Sequence, residues 1–286
     1  MVDPITSIAS SFTRRNNPVK LPFDKKEFDV FVCGGSQHVS LLKPLLQAVL
    51  PYGTVHLASS FLSDDELDEL RGLYDVLHRP KHSDDGYCNF ELFSIRDINR
   101  LARARHFIKL DADIHLEPDW IDYVKENLDS YPDAVLFGPE RGNVDINFEI
   151  SGAPVRQLLK RDIVVSNACK VIGGFYVGLT SFFKAHTTFM DLVHEFLWCY
   201  LDGLRYRPLL YPEWWPGDSQ LSHEPIRVLG QSANFRGNED TLRSLVVHAV
   251  GAGDRLHVLD SKGRIHIDRP NTVGRLKDQE RCHISV

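Results

Sequence analysis

Between residues 28 and 137, short runs of β-branched, aromatic and aliphatic residues alternate with segments whose apolar positions recur every three or four residues. No other feature constrains the fold as strongly. Phe28-Asp-Val-Phe-Val-Cys33 reads as a buried strand, closed by the turn signal Gly34-Gly35. Val39, Leu42, Leu45, Leu46 and Val49 then share one helical face, with Pro44 early in the segment and Pro51 and Gly53 beyond its end. Thr54 to Ala58 reads as a second strand, and Ser63 and Glu66 have the spacing of a capping box for a short acidic helix. Tyr74 to His78 supplies a third strand, Glu91 to Ala104 a helix, and His106-Phe-Ile-Lys-Leu110 a fourth strand. A helix from Pro118 and a strand over Ala134 to Phe137 continue the series. Strands and helices in strict alternation imply an α/β fold whose mostly parallel sheet is covered by helices on both faces. Such sheets bind ligands beyond the carboxyl ends of their strands.

From Gly138 onward the alternation lapses. A polar excursion precedes one apolar run, Val171 to Leu179, and a long helix predicted over Phe182 to Leu204, in which Phe182, Phe189, Val193, Phe196, Leu197, Tyr200, Leu201 and Leu204 form a single stripe. A Pro- and Trp-rich loop over Pro208 to Gly217 leads to Asp218 and a short helix. Arg227 to Leu229 reads as a strand and Glu239 to Val250 as a helix. Leu256 to Leu259 and Arg264 to Ile267, separated by a Gly-containing turn, are expected to pair as a hairpin. The expected organisation is an N-terminal arm (1–27), one domain (28–250, in halves 28–137 and 138–250), and a C-terminal extension of hairpin and tail (251–286).

Composition narrows the function. The 286 residues are 43% hydrophobic and 25% charged, the profile of an ordinary globular protein. Lys and Arg number 33 against 39 Asp and Glu, a formal charge of −6, which gives no electrostatic footprint for nucleic acid, so no nucleic-acid partner is expected. Five cysteines without a CxxC pair suggest neither a disulfide framework nor a thiolate zinc site, and fit a reducing cytoplasm. The first twenty residues lack the apolar block of a signal peptide, and the run Val171 to Phe183 is too short to span a bilayer. A soluble, cytoplasmic protein with no integral membrane segment is therefore expected. Thirteen histidines make any single one a weak sign of metal binding.

The strongest chemical signal is Asp111-Ala-Asp113, placed directly after the fourth strand. Two carboxylates emerging at the ligand-binding edge of a parallel sheet suit a hard divalent cation, Mg²⁺ or Mn²⁺, that keeps positions for water and phosphate oxygens. The same pair could instead solvate a loop or cap the helix begun at Pro118.

Residues 101 to 124, LARARHFIKLDADIHLEPDWIDYV, resemble the metal-binding region of GT-A-fold glycosyltransferases, particularly family-2-like enzymes. Those show an Ala-Arg pair, a strand, Asp-Ala-Asp, and Pro-Asp-Trp opening a helix. A weaker resemblance in element order extends from about residue 28 to 225. It implies a GT-A-like, Rossmann-type fold with a nucleotide-sugar half (28–137) and an acceptor half (138–250). It also implies a nucleotide-diphosphate sugar donor (UDP, GDP or TDP) and an acceptor hydroxyl on a glycan or small molecule. Asp113 becomes a direct metal ligand and Asp111 lies near the ribose or the metal. His56-Leu-Ala-Ser-Ser60 stands where family-2 enzymes usually carry an acidic run.

The other candidates each carry two readings. Lys81, in the loop Lys81 to Gly86, reads as a donor contact or as part of a solvated loop. Gly173 and Gly174 let backbone approach the donor sugar, or form a bend in a buried strand. Asp218, by the resemblance, is the general base that activates the acceptor in an inverting reaction; by local pattern it is the N-cap of the following helix. Trp214 and Trp215 offer one indole to the core and one to an acceptor sugar. His266 is the candidate third metal ligand, ahead of His248 and His257. Alternation with Ile265 and Ile267 equally makes it a solvent-facing strand residue. Two other functions share these residues. A haloacid-dehalogenase-like phosphatase also places Asp-x-Asp after a strand, although His115 stands where it needs Thr or Val. A non-catalytic sugar- or nucleotide-binding module could use the same fold.

Overall fold

The computed structural model describes residues 27–34, 39–59, 62–79, 96–139, 145–171, 174–195, 227–229 and 239–266. Its centre is a seven-stranded sheet built from β1 (Phe28–Gly34), β2 (Gly53–Ser59), β3 (Val76–His78), β4 (His106–Asp111), β6 (Leu136–Pro139), β9 (Phe175–Leu179) and β11 (Leu256–Leu259). The strand order is β11-β6-β9-β4-β1-β2-β3. β4, β1, β2 and β3 run parallel, β6 and β11 run parallel to each other, and β9 lies antiparallel between β4 and β6. This is the mostly parallel α/β sheet that the alternation predicts.

Period-two alternation sends side chains to two separate cores. Val30, Val32, Ile108, Leu110, Phe175 and Val177 pack on α1 (Val39–Val49), α2 (Asp64–Glu69) and α4 (Trp120–Ser130). Phe31, Cys33, Phe107 and Tyr176 face α3 (Ile98–Leu101), α5 (Ala153–Leu159), α6 (Thr180–Ala185), α7 (Thr187–Glu195) and α8 (Glu239–Ala249). In α1, Leu42, Leu45, Leu46 and Val49 are buried, as their spacing requires, with Pro44 inside the helix. Ser63 and Glu66 form both bonds of the capping box. The Trp120 indole donates to the carbonyl of Ala48 at 3.2 Å, tying α4 to the end of α1. Gly178 in β9 lies so close to the Phe107 and Phe183 rings that a Cβ there would overlap them.

Four expectations are corrected. The run Val171 to Leu179 is not one strand: β8 (Ile163–Cys169) ends before it and β9 starts at Phe175. The polar excursion contains β7 (Asp145–Ser151), α5 and β8. β7 and β8 pair antiparallel with β10 (Arg227–Leu229) in a second, three-stranded sheet. The chain leaves β6 at its carboxyl edge, forms this second sheet and re-enters the main sheet at the same edge, so β9 runs opposite to β6. The long helix is interrupted at His186, where the Thr187 hydroxyl donates to the Phe183 carbonyl at 2.8 Å, a back-bond that bends helices. Its predicted stretch past residue 195 lies outside the described residues.

The C-terminal hairpin is also absent. β11 pairs in parallel with β6, so it completes the main sheet instead of standing apart from it. β12 (Ile265–His266) pairs antiparallel with β5 (His115–Leu116). Lys262 and Gly263, both at positive φ, turn the chain between the two strands and carry it across the sheet end. Among the described residues, no helix is long and apolar enough to cross a membrane.

Candidate active site

β4 lies in the interior of the sheet, between β1 and β9, and Asp111 is its last residue. The backbone holds this end tightly. Asp111 N–H donates to the Gly174 carbonyl at 2.6 Å, Ala112 N–H to Cys33 at 3.0 Å, and Ile114 N–H back to Asp111 at 3.2 Å. The resulting turn carries Asp111 and Asp113 at the carboxyl edge of β4. Ala112 and Ile114 are buried, and Asp111 and Asp113 are half-buried. Gly174, at φ +72°, therefore lies beside the backbone of Asp111 at this edge.

Asp111 is not a bare carboxylate. Lys109, two residues earlier on the same face of β4, directs Nζ to Asp111 Oδ1 at 2.6 Å; its side chain is 1% exposed, against 41% for Asp111. The ammonium also lies 5.5 Å from the centre of the Tyr176 ring. Behind it, Arg243 is fully buried, donating from Nε to the Tyr176 hydroxyl at 2.7 Å and from a terminal nitrogen to Asn99 Oδ1 at 2.9 Å. Its guanidinium rests against Phe107, Tyr176 and Phe183 at 4.8–5.3 Å. Cation–π contact and hydrogen bonds together offset the desolvation of these two charges.

His266 reaches the same end of the molecule because β12 pairs with β5, setting it opposite His115, which lies two residues after Asp113. It is exposed and Ile265 is buried, as the alternation predicts. Both His115 Nε2 and His266 Nε2 point at Glu117 Oε1, each at 3.1 Å. His248 instead donates to the Cys169 carbonyl at 2.9 Å, and the His257 ring lies tilted against Tyr131. His56, within the segment that replaces the acidic run, lies mid-strand in β2, against Phe31 and His78. Lys81, Gly173, Trp214, Trp215 and Asp218 lie outside the described residues.

The donors fit a hard cation in part. Asp111 and Asp113 provide carboxylate oxygens of the kind Mg²⁺ and Mn²⁺ prefer. Among the described residues, no group of three or more His, Cys, Asp and Glu side chains is arranged to hold a metal ion unaided. A cation at this turn would need ligands beyond these two carboxylates. Sequence reasoning missed Lys109, Tyr176, Arg243, Asn99, His115 and Glu117. A signal existed only for Lys109, a charge inside an otherwise apolar strand.

No protein-family model matches the chain, and no curated protein matches it either. Solved structures similar to it include the glycosyltransferase GlyE of Streptococcus pneumoniae TIGR4 (8% identity, TM-score 0.43), with 83% of this chain and 46% of that one covered. Mouse xyloside xylosyltransferase 1 is similar at 12% identity and a TM-score of 0.40, with 82% and 84% covered. The mannosyltransferase PcManGT of Pyrobaculum calidifontis, solved with GDP-Man and Mn²⁺, is similar at 13% identity and a TM-score of 0.29, with 41% and 36% covered. All three are glycosyltransferases. The chain spans less than half the length of GlyE and of PcManGT.

Proposed function

We propose that this chain is a Mn²⁺- or Mg²⁺-dependent glycosyltransferase, moving a sugar from a UDP, GDP or TDP donor to a hydroxyl of a glycan or small-molecule acceptor. The observation that carries the proposal is the Asp111–Asp113 turn, held by Gly174 and Cys33 at the carboxyl end of an interior strand of a mostly parallel sheet. Ligands bind at that edge in open α/β sheets, and a pair of carboxylates there suits a cation that shares its coordination with phosphates.

In this scheme Asp113 holds the cation and Asp111 meets the ribose or the metal, with His266 as the candidate third ligand. Gly173 and Gly174 let backbone close on the donor sugar, and Lys81 contacts the donor. Trp214 and Trp215 offer an indole face to the acceptor. Asp218 takes the proton of the acceptor hydroxyl as its oxygen attacks the anomeric carbon, which makes the reaction inverting. A bound divalent cation supplies neutralisation of the charge on the departing diphosphate.

A thermal-shift screen of UDP, GDP, TDP and CMP sugars, with and without Mn²⁺, tests the proposal, because a ligand that binds only the folded state raises its apparent stability. One nucleotide sugar should raise the melting temperature in the presence of Mn²⁺. No shift with any of them would refute the function.

A further inference from the structure

The chain leaves the Asp111–Asp113 turn through β5, two residues long, whose strand partner among the described residues is β12. So short a pair is not stable on its own in water. Ile265 of β12 is buried in the same core as Ile114, Leu116 and Trp120, and Arg264, just before β12, anchors the segment that carries it. Glu117 N–H donates to the Arg264 carbonyl at 3.0 Å, and Arg264 N–H donates to the Ser261 carbonyl at 3.0 Å. Arg264 Nε lies 3.1 Å from Asp119 Oδ2 and a terminal nitrogen 3.0 Å from Glu126 Oε2, with Lys262 Nζ 3.6 Å from that same oxygen. Asp119 directly precedes α4 and Glu126 stands about two turns beyond it, so one guanidinium, its side chain 21% exposed, spans the start of the helix. A single exposed ion pair contributes little, whereas a planar guanidinium shared between two carboxylates is set in place by both.

We propose that Arg264 is a positioning residue: by locking residues 261–266 to the start of α4, it fixes β5 and with it the exit of the Asp111–Asp113 turn. The inference rests on the donor site proposed above, and it makes the C-terminal segment part of that site. The main sheet holds the turn on its entry side, through the bonds of Asp111 and Ala112 to Gly174 and Cys33. Its exit side is held by a strand from the far end of the chain. With the lock removed, the turn samples more arrangements, and a ligand that needs one of them binds more weakly without losing any contact.

The test uses the full chain, with Mn²⁺ and UDP, GDP or TDP as probes, titrated calorimetrically and combined with backbone hydrogen exchange. In Arg264→Gln, affinity for the nucleotide that binds the wild type should fall at least about fivefold. Amides of residues 112–117 should exchange faster, while those of β1 and β2 keep their wild-type rates. Glu126→Gln, which removes one of the two carboxylates from an exposed helix face, should move both readouts in the same direction by a smaller factor, and it serves if Arg264→Gln does not fold. Arg71→Gln, which breaks an exposed pair with Asp68 elsewhere on the surface, should move neither. Wild-type affinity in Arg264→Gln, an equal loss in Arg71→Gln, or a loss accompanied by faster exchange throughout β1 and β2 would overturn the positioning role and leave the donor site standing. Failure of the wild type to bind any of the three nucleotides with Mn²⁺ would overturn the donor site, and this inference with it.

Discussion

Acidification from pH 7 to pH 5 should remove about 4 kcal/mol of folding stability, chiefly through histidines that the fold keeps neutral. Burial pulls the imidazoles of His106 and His194 from their usual 6.5 to about 4, aided by the charges of Arg105 and Arg96 respectively. Burial, and then the neighbouring His56, takes His78 to about 3. A base whose folded pKa is depressed binds protons more readily when unfolded. Its stabilising contribution is therefore complete above pH 6.5 and is lost as the pH falls toward the folded value. For each histidine the loss between pH 7 and 5 is about 2 kcal/mol. One carboxyl acts in the opposite sense. Burial raises Asp191 to about 6 despite Arg100, so the folded state holds a proton that the unfolded state lacks, which returns roughly 1 kcal/mol over the same interval. Asp97, also raised by burial, adds to that opposition. Urea denaturation at the two pH values measures the difference. His106→Gln should reduce the acid-induced loss by about 2 kcal/mol. Stability that is flat or increases from pH 7 to 5 would refute the reasoning.

Asp113→Ala should abolish metal-dependent transfer and leave the melting temperature nearly unchanged, since a turn carboxylate opens no core cavity; Asp111→Ala should be almost as damaging, and assays of turnover and thermal melting check both. Asp218→Asn should lower kcat by about 10²-fold or more with donor affinity close to wild type if Asp218 is the base, whereas an N-cap role predicts near silence because Asn caps as well as Asp. Gly178→Ala should cost about 1–3 kcal/mol in denaturant unfolding, because its methyl would overlap the Phe107 and Phe183 rings inside a packed core.

What the sequence revealed was local. The Phe28–Gly34 strand, the amphipathic α1, the Ser63–Glu66 capping box and the Asp111–Asp113 turn are each written within a few neighbouring residues, and each forms. Strand direction and partner choice are decided by distant contacts. Nothing near Phe175 says that β9 runs against β4, because its direction follows from where the excursion over β7, α5 and β8 begins and ends. Leu256–Leu259 and Ile265–His266 have the pattern of a hairpin, yet each finds a better partner, β6 and β5, more than a hundred residues upstream. The support behind the site was hidden for the same reason. Lys109 stands out within HFIKL, but Tyr176, Arg243 and Asn99 assemble around it from three separate elements.

The central claim is that the Asp111–Asp113 turn holds a metal-assisted nucleotide-sugar site. Isothermal titration of UDP and GDP into the wild-type protein and Asp113→Ala, each with Mn²⁺ and with a chelator, tests it most directly. The account predicts that one nucleotide binds the wild type with Mn²⁺ and that affinity falls at least about tenfold on chelation or in Asp113→Ala. Equal affinity across all four conditions, or no binding in any, would contradict it.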